Sequence, residues 1–257
     1  MKLEQVAVQL FTLRDHLRTP ADYRESLRKV AEIGYKSVQV SGPRPVSEEE
    51  IAEFCHEAGL GINSTHEDSE LILENPAKVV ENLNAFGCAY TAYPFPKNVD
   101  FASGDSVQRL ISGLNASGKV LAEAGKILTY HNHAVEFEKL DGTTIMEKIY
   151  DGTDPRFLQG EIDTYWVKAG GDDPEAWCRR LDQRLPLLHI KDYAVGEDGK
   201  PRFAEIGEGV LDFPAIIKAA EKSGCEWFIV EQDTCPGDPF DSLALSFRNI
   251  RDRLIES

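Results

Sequence analysis

Short apolar runs alternate with helical patterns along the chain. Five of the helical patterns end at a glycine a few residues before a run begins, because glycine adopts the left-handed conformation that stops a helix. The runs have the length and residue types of β-strands, and they lie at 5–11, 37–41, 61–66, 89–95, 127–133, 158–165, 186–191 and 227–232. This alternation predicts parallel strands joined by crossover helices.

Eight strand–helix units in 257 residues favour an α/β fold made of one closed (β/α)8 TIM barrel, with 1–257 as a single domain. A doubly wound open sheet is the alternative. We disfavour it because no Gly-x-Gly-x-x-Gly follows the first run and the chain has no P-loop motif. In a barrel, the active site lies at the carboxyl ends of the strands.

Composition and charge argue against nucleic acid and membranes as binding partners. The formal net charge is −16 and no patch of Lys and Arg stands out, which opposes binding to nucleic acid. No apolar stretch approaches the roughly 18 residues of a membrane helix, and the first residues do not resemble a signal peptide. The five cysteines are scattered, as in proteins with reduced thiols. We expect a cytoplasmic protein without a membrane partner, for which a homo-oligomer is possible.

Four of the apolar runs end in side chains of the types that bind divalent metals. Side chains two apart on a strand share a face, so His131 and His133 share one, and Asp163, His189 and Glu231 each lie opposite apolar neighbours. Several carboxylates and imidazoles at one pole of a barrel are costly without a compensating partner. The set therefore predicts one divalent ion, of which Mn, Zn, Co and Mg are the candidates.

Several longer motifs surround these residues. They are Val8-Gln9-Leu10-Phe11-Thr12-Leu13-Arg14-Asp15, Tyr130-His131-Asn132-His133, Glu136-Phe137, Asp163-Thr164-Tyr165-Trp166, His189-Ile190-Lys191-Asp192, Gly207-Glu208-Gly209 and Val230-Glu231. On these motifs, nearly the whole chain resembles the xylose isomerase-like family of barrels. That family includes sugar phosphate isomerases and epimerases, inosose dehydratase and endonuclease IV.

The resemblance implies a metal held by Glu, Asp, His and Glu from the fifth to eighth strands. Asp163, His189 and Glu231 match three of these positions. At the first position, where epimerases of the family carry Glu, this chain has His131. We expect Glu136, just beyond the strand end, to supply the fourth ligand, and His131 is the alternative.

Other side chains near the strand ends are candidates for chemistry. His131, His133 and Glu231 are candidate proton donors and acceptors, although either histidine could instead orient a ligand carboxylate. The candidate substrate contacts are His66, Trp166, Lys191 and Arg202. Each of these four has a structural alternative, such as packing at the barrel rim, an ion pair or a place in a surface loop.

The resemblance implies a sugar isomerase or epimerase acting on a keto-sugar or related polyol through a metal-stabilised enediolate. The departure at His131 keeps a keto-inositol or keto-glycoside dehydratase or lyase as the runner-up. A non-catalytic sugar-binding barrel is a further alternative. An endonuclease IV-like repair enzyme is disfavoured by the six histidines and the acidity of the chain.

Overall fold

Eight parallel strands close into a barrel in the computed structural model, which describes residues 1–255. In chain order the strands are β1 Val6–Gln9, β2 Ser37–Val40, β3 Gly61–His66, β4 Tyr90–Tyr93, β5 Ile127–His131, β6 Gln159–Asp163, β7 Leu187–Ile190 and β8 Trp227–Val230. Each strand pairs with its neighbour in sequence, and β8 pairs with β1. The predicted (β/α)8 barrel is confirmed.

The helices lie between successive strands and after β8. They are α1 Pro20–Ile33, α2 Glu48–Glu57, α3 Ser69–Glu74, α4 Pro76–Phe86, α5 Gly104–Glu123, α6 Ile145–Gly152, α7 Thr164–Ala169, α8 Pro174–Arg180, α9 Phe213–Lys222 and α10 Pro239–Arg253. None of the helices within residues 1–255 is long and apolar enough to span a membrane.

Helix α1 shows how the sequence sets the helix ends. The Thr19 hydroxyl accepts a hydrogen bond from the backbone N–H of Asp22, and Pro20 occupies the first helical position, where a missing N–H costs nothing. Gly34 ends the helix at φ 125°, and a Cβ there would lie 2.6 Å from the Phe247 ring. Glycine is needed at this position for both the backbone conformation and the close packing of α10.

The side chains inside the barrel are apolar near its amino pole and polar near its carboxyl pole. At the amino pole, Ala7, Leu187 and Ile229 form a small apolar cluster that also includes Tyr90. Nearer the carboxyl pole the buried side chains are polar, and they include Gln9, Gln39, Ser64, Thr91, Thr129, Glu161 and His189. The polar layer therefore lies towards the carboxyl pole, beyond the apolar cluster.

Short elements that the apolar pattern did not predict lie at the carboxyl pole, apart from Leu3–Gln5, which precedes β1. Lys139–Leu140 pairs with Thr143–Thr144, and Asp192–Val195 pairs with Pro201–Ala204, both as antiparallel hairpins. Single-turn or longer 3-10 segments occupy Leu3–Gln5, Leu10–His16 and Val135–Phe137. The segment Val135–Phe137 matters most, because it carries Glu136 away from the end of β5.

Candidate active site and metal centre

Four consecutive strands bring potential metal ligands to one point. His131 ends β5, Asp163 ends β6, His189 lies in β7 and Glu231 directly follows β8. One ligand atom from each lies within 4.8 Å of the others, and all four residues are buried. Three of the four expected ligands thus lie together, and His131 takes the fourth place.

The hydrogen bonding of this group fits a divalent cation. Asp163 Oδ1 accepts from the backbone N–H of Trp166 at 3.0 Å, but Oδ2 is buried without a hydrogen bond, and Lys191 Nζ lies 3.3 Å from it. His131 Nδ1 is also buried without a hydrogen bond, although it lies 3.2 Å from Glu161 Oε1, and His131 Nε2 lies 3.7 Å from Asp163 Oδ2. Unsatisfied buried polar atoms are costly. Two imidazoles and two carboxylates are a donor set that could hold a divalent metal ion.

Glu161 is absent from our sequence-based site, but it lies among the imidazoles next to the ligand group. Its carboxylate accepts from Gln39 Nε2 at 2.7 Å and from His66 Nε2, and it lies 3.1 Å from His189 Nε2. With His66, His131 and His189 it forms a second group that could hold a metal. Strand alternation could have identified it, because Glu161 is two residues before Asp163.

His189 joins the two groups. Its Nδ1 lies 3.0 Å from Glu231 Oε2 and its Nε2 lies 2.7 Å from Gln39 Oε1. Burial alone lowers the pKa of His189, but the carboxylates of Glu161 and Glu231 outweigh burial and raise it to about 10. Burial likewise raises the pKa of both carboxyls, yet the neighbouring cations hold them well below their usual range. The ring is therefore firmly oriented.

Lys191 is a buried ammonium among carboxylates. Its Nζ lies 2.8 Å from Asp233 Oδ1, 3.0 Å from Glu231 Oε2 and 3.3 Å from Asp163 Oδ2. These carboxylates overcome burial and raise its pKa, so Lys191 stays charged. Nζ also lies 5.4 Å from the ring centroid of Trp166. Both residues, predicted as substrate contacts, therefore lie beside the ligand group.

The structure does not bring Glu136 to the ligand group, where we expected a metal ligand. Its Oε1 accepts from the Tyr130 hydroxyl at 3.0 Å and its Oε2 from the backbone N–H of His133 at 2.8 Å. The chain turns into a 3-10 segment after β5, so Glu136 meets Tyr130 on the face opposite His131. Burial raises the pKa of Glu136 to about 7. The structure thus favours the alternative, His131, as fourth ligand.

Arg202 has an exposed side chain, although the ring centroid of the adjacent Phe203 lies 5.3 Å from Lys191 Nζ. Arg202 lies in the hairpin after β7, its side chain is 61 % exposed, and its Nη2 lies 3.4 Å from Asp198 Oδ1. The neighbouring Gly207-Glu208-Gly209 loop is fixed by Asp192, whose Oδ2 accepts from the N–H groups of Gly207 and Gly209 at 2.9 Å. A Cβ on Gly209 would lie 2.2 Å from Asp192 Oδ1, so this loop position requires glycine.

A cavity of about 670 Å³ opens beside the ligand group. It is lined by Phe11, Ser41, Gly42, Arg44, Glu48, His66, Glu67, Asp68, Leu71, Asn82, Pro94, Phe95, His131, His133, Lys191, Glu231 and Asp233. His133 Nδ1 is buried there without a partner, and burial lowers the pKa of this imidazole to about 3. His66 Nδ1 lies 3.3 Å from Gln9 Nε2, so both of its ring nitrogens are engaged.

A closed barrel with carboxylates and imidazoles on four consecutive strand ends defines a TIM barrel with its candidate active site at the carboxyl pole. The chain belongs to the xylose isomerase-like TIM barrel family, whose pattern matches residues 27–251.

Individual relatives are similar to this chain in sequence or in structure. The inosose dehydratase of Geobacillus thermodenitrificans is 28% identical over 160 residues, which is 56% of this chain and 53% of that enzyme. The chain thus spans about half the length of this relative. A sugar phosphate isomerase/epimerase from Parabacteroides distasonis superposes with a TM-score of 0.85 at 23% identity, covering 99% of this chain and 96% of that one.

A xylose isomerase-like TIM barrel protein from Mycobacterium smegmatis, solved in complex with magnesium, has a TM-score of 0.75 at 16% identity. The superposition covers 96% of this chain and 95% of the other. At these identities the structural likenesses establish the fold.

Proposed function

We propose that this protein is a divalent-metal-dependent isomerase or epimerase of a keto-sugar or related polyol. The observation that carries the proposal is the group of His131, Asp163, His189 and Glu231, with ligand atoms within 4.8 Å of one another beside a cavity of about 670 Å³. Such a cavity is within the range of about 300–1,000 Å³ that small-molecule sites occupy. The relationship to an inosose dehydratase supports a polyol substrate.

His131, Asp163, His189 and Glu231 would hold the ion. When bound, a divalent cation supplies positive charge where negative charge develops on a substrate carbonyl oxygen. Lys191 adds a fixed ammonium at the same pole, held by Asp163 and Glu231 at 3.3 and 3.0 Å. A preorganised charge of this kind stabilises a developing oxyanion without reorganisation.

His133 and Glu231 are the proposed proton carriers, because both line the cavity. When the C–H bond next to a carbonyl breaks, its electron pair forms a C=C bond and the carbonyl oxygen takes the negative charge. The proton passes to a basic side chain. Return of a proton to the opposite face of that carbon gives an epimer. Return to the former carbonyl carbon, with a hydroxyl proton shifted between the oxygens, gives an isomer.

Elimination is the second candidate, and the match to an inosose dehydratase favours it. The same C–H bond breaks first. The bond from the next carbon to its oxygen substituent then breaks, and that oxygen leaves with a proton as water or as an alcohol. A keto-inositol or keto-glycoside would be the substrate.

Deuterium incorporation tests the proposal. The Mn²⁺-loaded protein is incubated in D₂O with a panel of ketoses, keto-inositols and 3-keto-glycosides. We expect deuterium at the carbon next to the carbonyl, with an epimer or isomer as product; release of water or alcohol would identify elimination. Asp163→Asn should abolish exchange, and Arg202→Ala, in the exposed hairpin, is the matched control. Absence of exchange and product with every substrate would refute an enzyme of this class.

A further inference from the structure

We infer that the substrate is uncharged and carries a second ring, as in a keto-glycoside, and that this ring binds against Phe11 and Phe95. The inference rests on the proposed function and narrows its substrate class. Three properties of the cavity carry it: its charge, the pairing of its cations and its exposed aromatic side chains.

Acidic side chains outnumber basic ones around the cavity. The carboxylates that line it belong to Glu48, Glu67, Asp68, Glu231 and Asp233. The cations that line it are Arg44 and Lys191. The five carboxylates outweigh the two cations even with one divalent ion bound, so the wall opposes an anionic ligand and suits a ligand that presents neutral hydroxyl groups.

Both cations are already held by carboxylates. Arg44 donates from Nη1 and Nη2 to the two oxygens of Glu67 at 3.0 and 2.8 Å, and its side chain is only 19% exposed. Lys191, 1% exposed, lies 2.8 Å from Asp233 Oδ1 and 3.0 Å from Glu231 Oε2. Phosphate recognition relies on cations or N–H donors that face the ligand. A phosphorylated sugar that used either of these two cations would have to break one of these pairs.

Two exposed phenylalanines line the same cavity. Phe11 is 37% exposed and Phe95 is 51% exposed, whereas the other exposed large apolar side chains within residues 1–255, Val120, Val195 and Val210, lie outside it. Covering an aromatic ring with an apolar surface is favourable. The C–H face of a sugar ring and the face of an aryl group both provide such a surface.

The aromatic part of the cavity adjoins the reacting part. The Phe95 ring contacts His133, a proposed proton carrier, edge-on with ring centroids 5.1 Å apart. The backbone around Phe95 is fixed, because its carbonyl accepts from the Ser69 hydroxyl at 2.6 Å. The guanidinium of Arg14 lies 4.6 Å from the Phe11 ring centroid. A substituent on the reacting sugar would therefore extend directly onto preformed aromatic surface.

The size of the cavity is consistent with such a ligand. Small-molecule sites span about 300–1,000 Å³, and a single sugar ring is among the smaller ligands. A cavity of about 670 Å³ leaves room beyond one ring. The reacting ring would lie beside His131 and Glu231, and the second ring would lie against the Phe11 and Phe95 side chains that line the same cavity.

Binding of non-reacting glucosides tests the inference. Titration calorimetry on the Mn²⁺-loaded protein would compare glucose, methyl β-glucoside, phenyl β-glucoside and glucose 6-phosphate. We expect phenyl β-glucoside to bind at least about tenfold more tightly than methyl β-glucoside, and glucose 6-phosphate at least about tenfold more weakly than glucose. Phe95→Ala should remove the phenyl advantage and leave methyl β-glucoside affinity unchanged, whereas Phe95→Tyr should retain the advantage.

Matched variants keep the test specific. Phe11→Ala should also reduce the phenyl advantage, and Val210→Ala, another exposed apolar side chain, should leave it unchanged. Equal affinities for the two glucosides, no binding of any of them, or tightest binding of glucose 6-phosphate would overturn the inference. Failure of the two proposals can be distinguished. Equal deuterium exchange with 3-keto-glucose and with phenyl 3-keto-β-glucoside refutes only this inference, whereas glucoside binding without exchange refutes only the enzymatic activity.

Discussion

Replacing Glu136 with Gln tests whether its carboxylate has a structural role or binds the metal. Glu136 is fully buried and accepts two hydrogen bonds, from Tyr130 and from the backbone of His133. Burial raises its pKa from the usual 4.5 to about 7. The unfolded chain therefore releases this proton at lower pH than the folded protein does, and the folded state binds more protons between the two values.

The pH dependence of stability follows from that difference. Stability contributed by the proton on Glu136 is complete below pH 4.5 and is lost as the pH rises through 7. The pKa difference is about 7 − 4.5 = 2.5, and one pKa unit corresponds to about 1.36 kcal/mol, so the free energy of unfolding falls by about 3 kcal/mol. The amide side chain of Glu136→Gln cannot ionise, so the stability of this variant should not fall with pH in this way. The altered hydrogen bonds would change its free energy of unfolding by the same amount at every pH.

Urea unfolding at pH 5 and pH 8 in metal-free buffer provides the measurement. The wild-type protein should lose about 2–3 kcal/mol more than Glu136→Gln between the two pH values. Glu138→Gln, at an exposed carboxylate two residues away, should behave as the wild type. Calorimetry with Mn²⁺ should show nearly unchanged affinity in Glu136→Gln. Parallel pH dependence of the two proteins, or loss of metal binding in a folded Glu136→Gln, would show our placement of Glu136 to be incorrect.

Three further substitutions probe the rest of the site. Asp163→Asn should weaken Mn²⁺ binding at least about tenfold, measured by calorimetry, since it removes one of four donors; unchanged affinity would exclude Asp163 as a ligand. Glu161→Gln should reduce metal affinity about 10–100-fold in a folded protein, because the carboxylate orients His66 and His189; wild-type affinity would deny it this role. Arg202→Ala should leave kcat/KM within about twofold, and a large loss would place Arg202 at the substrate after all.

The strands were predictable because their signals are local. A glycine that stops a helix and a short apolar run lie within a few residues of each other, as at Gly34 before Ser37–Val40. Alternation along a strand then separates the two faces without knowledge of tertiary contacts. That rule placed Asp163 and His189 on the barrel-facing side, and the structure brings their ligand atoms within 4.8 Å.

The residues that the sequence placed less well lie where this local rule stops. Beyond His131 the chain leaves β5 and enters a 3-10 segment, so alternation no longer defines the direction of Glu136. Arg202 lies in a hairpin with mostly exposed or half-buried residues, whose pairing depends on turn geometry rather than on an apolar pattern. Its position relative to the site could be learned only from the fold.

The charge of the carboxyl pole is the reason that we propose a cation, and not a phosphate, as its ligand. Four carboxylates meet there, from Glu161, Asp163, Glu231 and Asp233. The cations among them are Lys191 and a His189 whose pKa is raised to about 10. Burying this excess of negative groups is costly, and burial together with the charge of Glu231 raises the pKa of Asp163 to about 7. A divalent cation would relieve part of this excess, while Lys191 stays paired with Glu231 and Asp233. We therefore propose that metal binding and selectivity for an uncharged sugar follow from one arrangement of side chains.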